Sequence, residues 1–206
     1  MLFIFDVGGV LTNSAAIYEL IAKKLNLSLD EFSFYCGIPG SPAPTHFQGK
    51  NAFTPNLEME LMKGNITAAE FWHTFTERSH VQVTENWWAT LFNPKRNVKV
   101  YDIISRLKKR YRVVGGTNTI QDHYEIHQSH HDYDIFDTCY ASQIIREAKP
   151  ELPFWKYILA AEKTNARDAF FIDDTQENID AADSLGINTH HFVNAEDLEI
   201  ALKQYL

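Results

Sequence analysis

The first apolar stretch of the chain runs without interruption from Leu2 to Phe5 and stops at a carboxylate, Asp6. Because it contains aromatic and β-branched residues and no polar alternation, the pattern predicts a strand that is buried on both faces. Gly8 and Gly9 follow at once and predict a sharp turn whose backbone can approach a ligand closely. Ligands of open α/β sheets bind beyond the carboxyl ends of the strands, so Asp6 is a candidate site residue.

A long helical stretch follows, from residue 13 to residue 95, without a strand pattern. Its apolar residues recur at helical spacing, and capping-box sequences at Ser28 and Thr67 predict two helix starts. Between Gly37 and Pro55, four prolines and three glycines predict a long loop. We predict a helical insertion whose core is built from aromatic residues, namely Phe71, Trp72, Phe75, Trp87, Trp88 and Phe92.

From residue 96 onwards, strand and helix patterns alternate. Short apolar runs predict strands at Tyr111–Gly116, Phe136–Tyr140, Ala169–Ile172 and Ile187–Val193, with amphipathic helices between them. Such alternation predicts a parallel sheet that is covered by helices on both faces. The predicted fold class is therefore α/β, with a Rossmann-like parallel sheet and an inserted helical segment.

Composition narrows the functional classes. The 206 residues carry a net charge of −8, which argues against nucleic acid or an anionic membrane as the main partner. Cys36 and Cys139 lie far apart, as free thiols of a reducing compartment would. We see neither a signal peptide nor an apolar run of membrane-spanning length. The expectation is a cytoplasmic protein that acts on a small molecule, as a monomer or a homodimer.

Further polar residues share the strand-end position of Asp6. Asp173 and Asp174 end one predicted strand, Thr117 and Asn118 follow another, and a lysine precedes Pro150 at a helix start. In a parallel sheet these positions meet at one edge. Crowded carboxylates require a hard cation such as Mg²⁺, which in turn favours phosphate oxygens. A carboxylate, a metal ion, a lysine and a threonine around one point are what phosphoryl transfer requires.

The order of these motifs resembles that of the haloacid dehalogenase (HAD) superfamily. The four motifs are Asp6-x-Gly-Gly-Val-Leu-Thr, Thr117-Asn118, Lys149-Pro150 and Asp173-Asp174-x3-Asn178. The resemblance places a core domain at residues 1–12 and 96–206 and that family's helical cap domain at residues 13–95. Within the superfamily, the sequence is most similar to bacterial sugar-phosphate phosphatases, including glucose-1-phosphatases, and to the phosphatase domain of soluble epoxide hydrolases.

The resemblance also implies residue roles. Asp6 would be the nucleophile that forms an aspartyl-phosphate, and Lys149 would balance charge beside it. Thr117 and Asn118 would hold the transferring phosphoryl group. Asp173 would belong to the metal site in an outer position. The implied Mg²⁺ site as a whole comprises Asp6, the backbone carbonyl of Gly8, Asp173 and Asp174.

One position departs from the family pattern. Most phosphatases of the superfamily carry a second Asp two residues after the nucleophile as general acid and base, whereas this chain has Gly8. Three interpretations follow. The substrate has a good leaving group; a cap residue such as His46, or a water, donates the proton; or the protein is a weak enzyme or only a phosphate-binding protein.

Two other chemistries of the superfamily are less favoured. A dehalogenase needs no metal, and paired Asp173-Asp174 would then only repel. A phosphonatase needs a cap lysine that forms a Schiff base, and nothing singles out one lysine among Lys23, Lys24, Lys50 and Lys63. The prediction is a Mg²⁺-dependent phosphatase for a small phosphomonoester, with sugar phosphates as one candidate class.

A cluster of four histidines could be mistaken for a transition-metal site. His123, His127, His130 and His131 form a dense cluster, in which the spacing of His123 and His127 places both on one helix face. A transition-metal site also needs a third ligand and an orienting shell. We interpret the cluster as a polar surface helix, with His123 the one member expected near the active edge.

Overall fold

The computed structural model describes residues 1–13, 17–47, 49 and 53–206. The strands within these ranges are β1 (Leu2–Phe5), β2 (Thr12–Asn13), β3 (Lys95–Arg96), β4 (Arg112–Thr117), β5 (Thr138–Ala141), β6 (Ala169–Asp173) and β7 (Asn188–His191). Five of them form one parallel sheet in the order β5-β4-β1-β6-β7, and the two very short strands, β2 and β3, pair with each other. The predicted α/β fold class is confirmed.

The helices of the described ranges divide between an insertion and the sheet layers. The insertion contains α1 (Ile17–Lys24), α2 (Leu29–Cys36), α3 (Leu57–Met62), α4 (Ala68–Ser79) and α5 (Trp87–Leu91). The remainder contains α6 (Val98–Leu107), α7 (Gln121–Ser129), α8 (Ser142–Ile145), α9 (Leu152–Ala161), α10 (Gln176–Asp183) and α11 (Ala195–Ala201).

Strand β1 lies at the centre of the sheet and is buried on both faces. Phe3 and Phe5 pack into a core shared with α6 and α11, whereas Leu2 and Ile4 pack into a second core with α9 and α10. Successive side chains of a strand point to opposite faces, so the uninterrupted apolar run matches this double burial. The central position brings the end of β1 between the ends of β4 and β6.

The helices α1 to α5 share a separate apolar core. Phe71, Trp72, Phe75, Trp88 and Phe92 are buried there, as predicted, while Trp87 is partly exposed beneath the Lys24 ammonium group. Both predicted capping boxes are present, since each helix start is capped by its own Ser or Thr and a Glu three residues later. The division of the chain into a core domain and a cap domain stays a prediction.

Two details differ from the sequence predictions. No strand was predicted between residues 13 and 95, yet Asn13 pairs with Lys95 in a two-residue antiparallel ladder, which is too short to produce a periodic pattern. His127 is buried and not on the surface, because its Nδ1 hydrogen-bonds to Asp132 Oδ2 at 2.9 Å. The polar character of His127 gave no indication that it would be buried against an acidic side chain, Asp132.

The cysteines, the helices and the predicted loop can be compared with the sequence predictions. Cys36 and Cys139 are both free. Among the described helices, none has the length and apolar character needed to cross a membrane. The described residues of the predicted loop at 37–55 have no regular secondary structure, whereas residues 48 and 50–52 of that loop lie outside the described ranges.

Candidate active site

The strand ends bring the predicted site residues to one edge of the sheet. Asp6 directly follows β1, and its backbone N–H continues the pairing with β6 by donating to the Ile172 carbonyl at 2.9 Å. Asp173 is the last residue of β6, and Thr117 is the last residue of β4. All three side chains are buried, so the apolar strands that precede them place polar groups at the end of the core.

Lys149 joins two of these strand ends. Its Nζ lies 2.9 Å from Asp6 Oδ1 and 2.6 Å from Asp173 Oδ2, and the residue is only 2% exposed. A buried ammonium group is tolerated only where it is paired and hydrogen-bonded, and here two carboxylates supply that pairing. The sequence prediction that Lys149 would lie beside Asp6 therefore agrees with the geometry.

Asn118 fixes the backbone from which Lys149 extends. Its side-chain Oδ1 accepts a hydrogen bond from the Lys149 N–H at 2.9 Å, and its Nδ2 donates to the Lys149 carbonyl at 2.8 Å. Because this pair of bonds uses both ends of the amide, the Asn118 side chain orients Lys149 in this structure. Thr117 is buried beside it, with its hydroxyl 3.3 Å from the Asn118 carbonyl.

Burial and charge shift the pKa values at this edge. Burial raises the pKa of Asp6 to about 7; Lys149 opposes that rise and Asp173 adds to it. Burial alone would lower the pKa of Lys149, but the two carboxylates more than offset this effect and raise it. Lys149 therefore stays charged and favours the ionised form of Asp6.

Three carboxylates meet where a cation could bind. One oxygen from each of Asp6, Asp173 and Asp174 lies within 4.8 Å of the others, and no other such group of acidic, His or Cys side chains occurs among the described residues. Asp173 is already well supplied with donors, because its Oδ1 accepts from the Thr175 N–H at 2.8 Å and from Asn178 Nδ2 at 3.0 Å. Hard oxygen donors of this kind suit Mg²⁺.

The two glycines after Asp6 have different surroundings. Gly9 has a φ of +78°, and a Cβ built on it would lie 2.0 Å from Asp174 Oδ2. A Cβ on Gly8 would meet nothing within 4 Å. Gly9 is thus needed for the backbone conformation and for the position of Asp174, whereas Gly8 leaves open space beside the nucleophile candidate.

A small cavity lies next to this edge, between the helical insertion and the sheet domain. It has a volume of about 140 Å³, and its lining includes Asn118 and His123 from the sheet side and Tyr18, Glu58, Trp88 and Phe92 from the insertion side. His123 Nε2 donates a hydrogen bond to the Trp88 carbonyl, 3.0 Å away, and the imidazole ring stacks on Phe92. The expectation that His123 would lie near the active edge agrees with this position.

Some site features were not predicted. The fourth motif contains Asn178 but assigns it no role, whereas its Nδ2 donates to Asp173 Oδ1 in the structure. The bonds of the Asn118 amide to the Lys149 backbone depend on a loop geometry that no sequence pattern encodes. Tyr18 and Glu58 lie on different helices, 40 residues apart, and hydrogen-bond to each other. An acidic residue in the first turn of a helix is normally explained by its favourable interaction with the helix dipole in solvent, so nothing in the sequence indicated the Tyr18–Glu58 pair.

Residues proposed for the missing proton donor or for Schiff-base chemistry lie elsewhere. His46 contacts the Tyr35 hydroxyl at 3.1 Å, with a side chain that is 65% exposed, and it does not line the cavity. Lys23, Lys24 and Lys63 do not line it either, and Lys63 pairs with Glu151 at 2.6 Å. Lys50 lies outside the described residues.

Sequence comparison defines the class of this protein. A family model described as haloacid dehalogenase-like hydrolase matches residues 3–192. The chain therefore belongs to the haloacid dehalogenase-like hydrolase family, and the resemblance carried by the four motifs is confirmed.

Solved structures share the fold over almost the whole chain. A predicted HAD-like family hydrolase from Porphyromonas gingivalis has a TM-score of 0.75 at 20% identity and covers 98% of this chain and 96% of its own. A HAD family enzyme from Bacteroides thetaiotaomicron has a TM-score of 0.72 at 22% identity, with 97% of each chain covered. A structure of the Bacteroides enzyme in complex with magnesium and inorganic phosphate has a TM-score of 0.63 at 22% identity, with 92% of each chain covered.

Two fungal proteins are similar in sequence. A sesquiterpene phosphatase from Aspergillus oryzae is 30% identical over 83 residues, which is 40% of this chain and 42% of the relative. A drimenol cyclase from Aspergillus calidoustus is 24% identical over 187 residues, which is 87% of this chain and 35% of the relative. The matched regions thus span less than half of either fungal protein.

The contrast between the two glycines gives a first prediction. Gly9→Ala should lower the free energy of unfolding by about 1–2 kcal/mol, because an L-residue is strained in the left-handed backbone conformation of Gly9, whereas the exposed Asp174 side chain can rotate away from the new methyl group. Gly8→Ala is the matched control and should change it by less than about 0.5 kcal/mol. Urea unfolding of both variants measures the difference, and equal effects of the two substitutions would contradict the assigned constraint at Gly9.

Proposed function

We propose that this protein is a Mg²⁺-dependent phosphatase that hydrolyses a small phosphomonoester through an aspartyl-phosphate on Asp6. The observation that carries the proposal is the placement of Asp6 at the end of the central strand, with Lys149 Nζ 2.9 Å from its carboxylate. Family membership supports hydrolase chemistry in general. The Bacteroides structure with magnesium and inorganic phosphate supports the choice of metal and of phosphate.

The donor set fits Mg²⁺. The oxygens of three carboxylates converge within 4.8 Å, and only one cationic side chain, Lys149, is paired with them among the described residues. We infer that Asp6, Asp174 and the Gly8 carbonyl hold the ion. Asp173, whose oxygens are engaged by Lys149, Thr175 and Asn178, serves from the outer position. When bound, Mg²⁺ supplies positive charge that offsets the charge on the carboxylates and the phosphate.

In the proposed first step, an ionised Asp6 oxygen attacks the phosphorus atom as the bond to the ester oxygen breaks, and the departing alkoxide takes a proton from water because Gly8 offers no acid. Lys149 favours the ionised carboxylate before attack and balances the negative charge that accumulates around the phosphoryl group. In the second step, water attacks the phosphorus of the aspartyl-phosphate, which releases inorganic phosphate and restores Asp6.

The phosphoryl group would be held at the end of β4. Thr117 can contribute its hydroxyl, and the chain that follows it can contribute backbone N–H groups, which are suited to bind an anion. The Asn118 side chain has a positioning role, because both ends of its amide are bonded to the Lys149 backbone. Asn118 would thus act on the phosphoryl group mainly through Lys149 and through its own backbone.

We infer that helices α1 to α5 act as the cap over this site. Lys63 of the insertion pairs with Glu151 of the sheet domain at 2.6 Å, and Asn86 donates to Asp122 at 3.0 Å. Such contacts would hold the cap closed over the phosphoryl centre and exclude bulk water during the reaction. Opening of the cap would then admit the substrate and release the products.

A test of the nucleophile uses p-nitrophenyl phosphate with Mg²⁺. Asp6→Asn should reduce phosphate release to the background, because an amide is a poor nucleophile, and EDTA should have the same effect on the wild type. Asp102→Asn, on the exposed face of α6, is the control and should keep full activity. Undiminished turnover by Asp6→Asn contradicts the assigned nucleophile. Absence of turnover by the wild type, together with tight phosphate binding, would favour a non-catalytic binding protein.

The open space at Gly8 gives a second test. Gly8→Asp restores the general acid that most phosphatases of the superfamily carry at this position, and a Cβ there meets no atom within 4 Å. General acid catalysis contributes about 10²–10⁴ in rate, so hydrolysis of an alkyl phosphate with a poor leaving group should rise at least about tenfold.

The matched control for this test is Gly8→Asn, which has the same shape but no acidic proton. It should give no increase. If both variants leave the rate of alkyl phosphate hydrolysis unchanged, the missing acid does not limit this enzyme.

A further inference from the structure

The cavity beside Asn118 contains an acidic group without a cationic partner. Glu58 of α3 lines this cavity, and its Oε1 accepts a hydrogen bond from the Tyr18 hydroxyl of α1. No Lys or Arg side chain is found among the described residues of the lining. His123, which also lines it, is neutral at physiological pH, because burial lowers its pKa to about 3.

The environment of Glu58 is unfavourable for its charged form. Burial raises the pKa of Glu58, since its charged form has lost water and gains only the Tyr18 hydroxyl in return. Carboxylates that are withdrawn from water are normally paired with a cation or several hydrogen-bond donors. Among the described residues, the Tyr18 hydroxyl is the one hydrogen-bond partner of the Glu58 side chain, so a cationic ligand in the cavity would add charge pairing and favour the ionised carboxylate.

The rest of the lining suits an organic cation. Tyr18, Trp88 and Phe92 contribute aromatic rings, and four apolar side chains complete much of the wall. Aromatic rings attract ammonium groups through their quadrupoles, and a carboxylate adds direct charge complementarity. A sugar would instead need unoccupied donors and acceptors for its several hydroxyl groups, whereas the Asn118 and His123 side chains of this wall are already bonded to the Lys149 backbone and the Trp88 carbonyl.

The cavity volume limits the size of the group that it accepts. An engineered protein cavity of about 150 Å³ binds benzene, so a cavity of about 140 Å³ fits a group of similar size. A sesquiterpene skeleton is much larger. The cavity therefore favours a smaller leaving group than the name of the Aspergillus oryzae relative indicates.

The position of the cavity connects it to the reaction. Asn118 belongs to its wall and also bonds to the backbone of Lys149, whose ammonium group contacts Asp6. A phosphomonoester whose phosphoryl group lies at Asp6 would thus extend its alcohol part past Asn118 towards Glu58.

We propose that Glu58, held by Tyr18, is the specificity-determining residue of this site and binds the ammonium group of a small amino-alcohol phosphate. The inference rests on the proposed phosphatase function and names the substrate class for it. Glu58 contacts the leaving group and takes no part in bond breaking.

The test compares three esters of nearly equal size with Mg²⁺ present: 3-aminopropyl, 3-hydroxypropyl and n-butyl phosphate. Hydrogen bonds to charged groups are strong enough that the wild type should prefer the amino ester over the butyl ester at least about tenfold in kcat/KM. Glu58→Gln keeps the shape but removes the charge, so it should abolish this preference, mainly through a higher KM for the amino ester.

Glu60→Gln is the matched control. Glu60 lies on the same helix but bonds to Asn65 and does not line the cavity, so this variant should keep the preference. Equal kcat/KM values of the wild type for the three esters, a preference for the hydroxyl ester, or a preference that survives in Glu58→Gln would overturn the inference. The wild-type comparison decides even if Glu58→Gln does not fold.

The two proposals fail in different ways. Phosphate release from all three esters without discrimination contradicts only the ammonium site. If phosphate is not released in a Mg²⁺-dependent way from these esters or from p-nitrophenyl phosphate, the phosphatase function is contradicted, and so is the ammonium site that rests on it.

Discussion

The site depends on one buried interaction, the contact of the Lys149 ammonium group with the carboxylates of Asp6 and Asp173. Each of these ions would cost several kcal/mol to bury alone, and removing one partner of a buried pair typically costs about 3–5 kcal/mol. Further hydrogen-bond donors offset part of the cost of burying these charges, since Asp173 also accepts hydrogen bonds from Thr175 and Asn178. Lys149 is therefore held in one position, and that position determines the charge and orientation of Asp6.

The parallel sheet explains why these residues meet at all. β1 lies between β4 and β6, so residues more than 100 positions apart in sequence lie at adjacent strand ends. The burial of Asp6 at the end of this buried strand raises its pKa and strengthens its interaction with Lys149. The same apolar residues thus stabilise the fold and set the electrostatics of the proposed nucleophile.

Much of this arrangement could be predicted from the sequence, because it depends on local patterns. Apolar runs that end in Asp6, Thr117 and Asp173 indicate strands and the edge at which they end, and the motif order indicates the family. The interactions that could not be predicted depend on side-chain geometry that no local sequence pattern encodes. The bonds between Asn118 and the Lys149 backbone, the burial of His127 against Asp132 and the pair of Tyr18 with Glu58 are of this kind. The roles of residues outside the shared motifs could therefore be assigned only from the three-dimensional structure.

The central claim is that Asp6 carries the phosphoryl group during turnover. Acid quench of the Mg²⁺-loaded enzyme during hydrolysis of p-nitrophenyl phosphate, followed by borohydride reduction, converts an aspartyl-phosphate into homoserine, which mass spectrometry of the N-terminal peptide detects. The account predicts homoserine at position 6 and at no other aspartate. Steady turnover with an unmodified Asp6, or with homoserine at a different position, would contradict it.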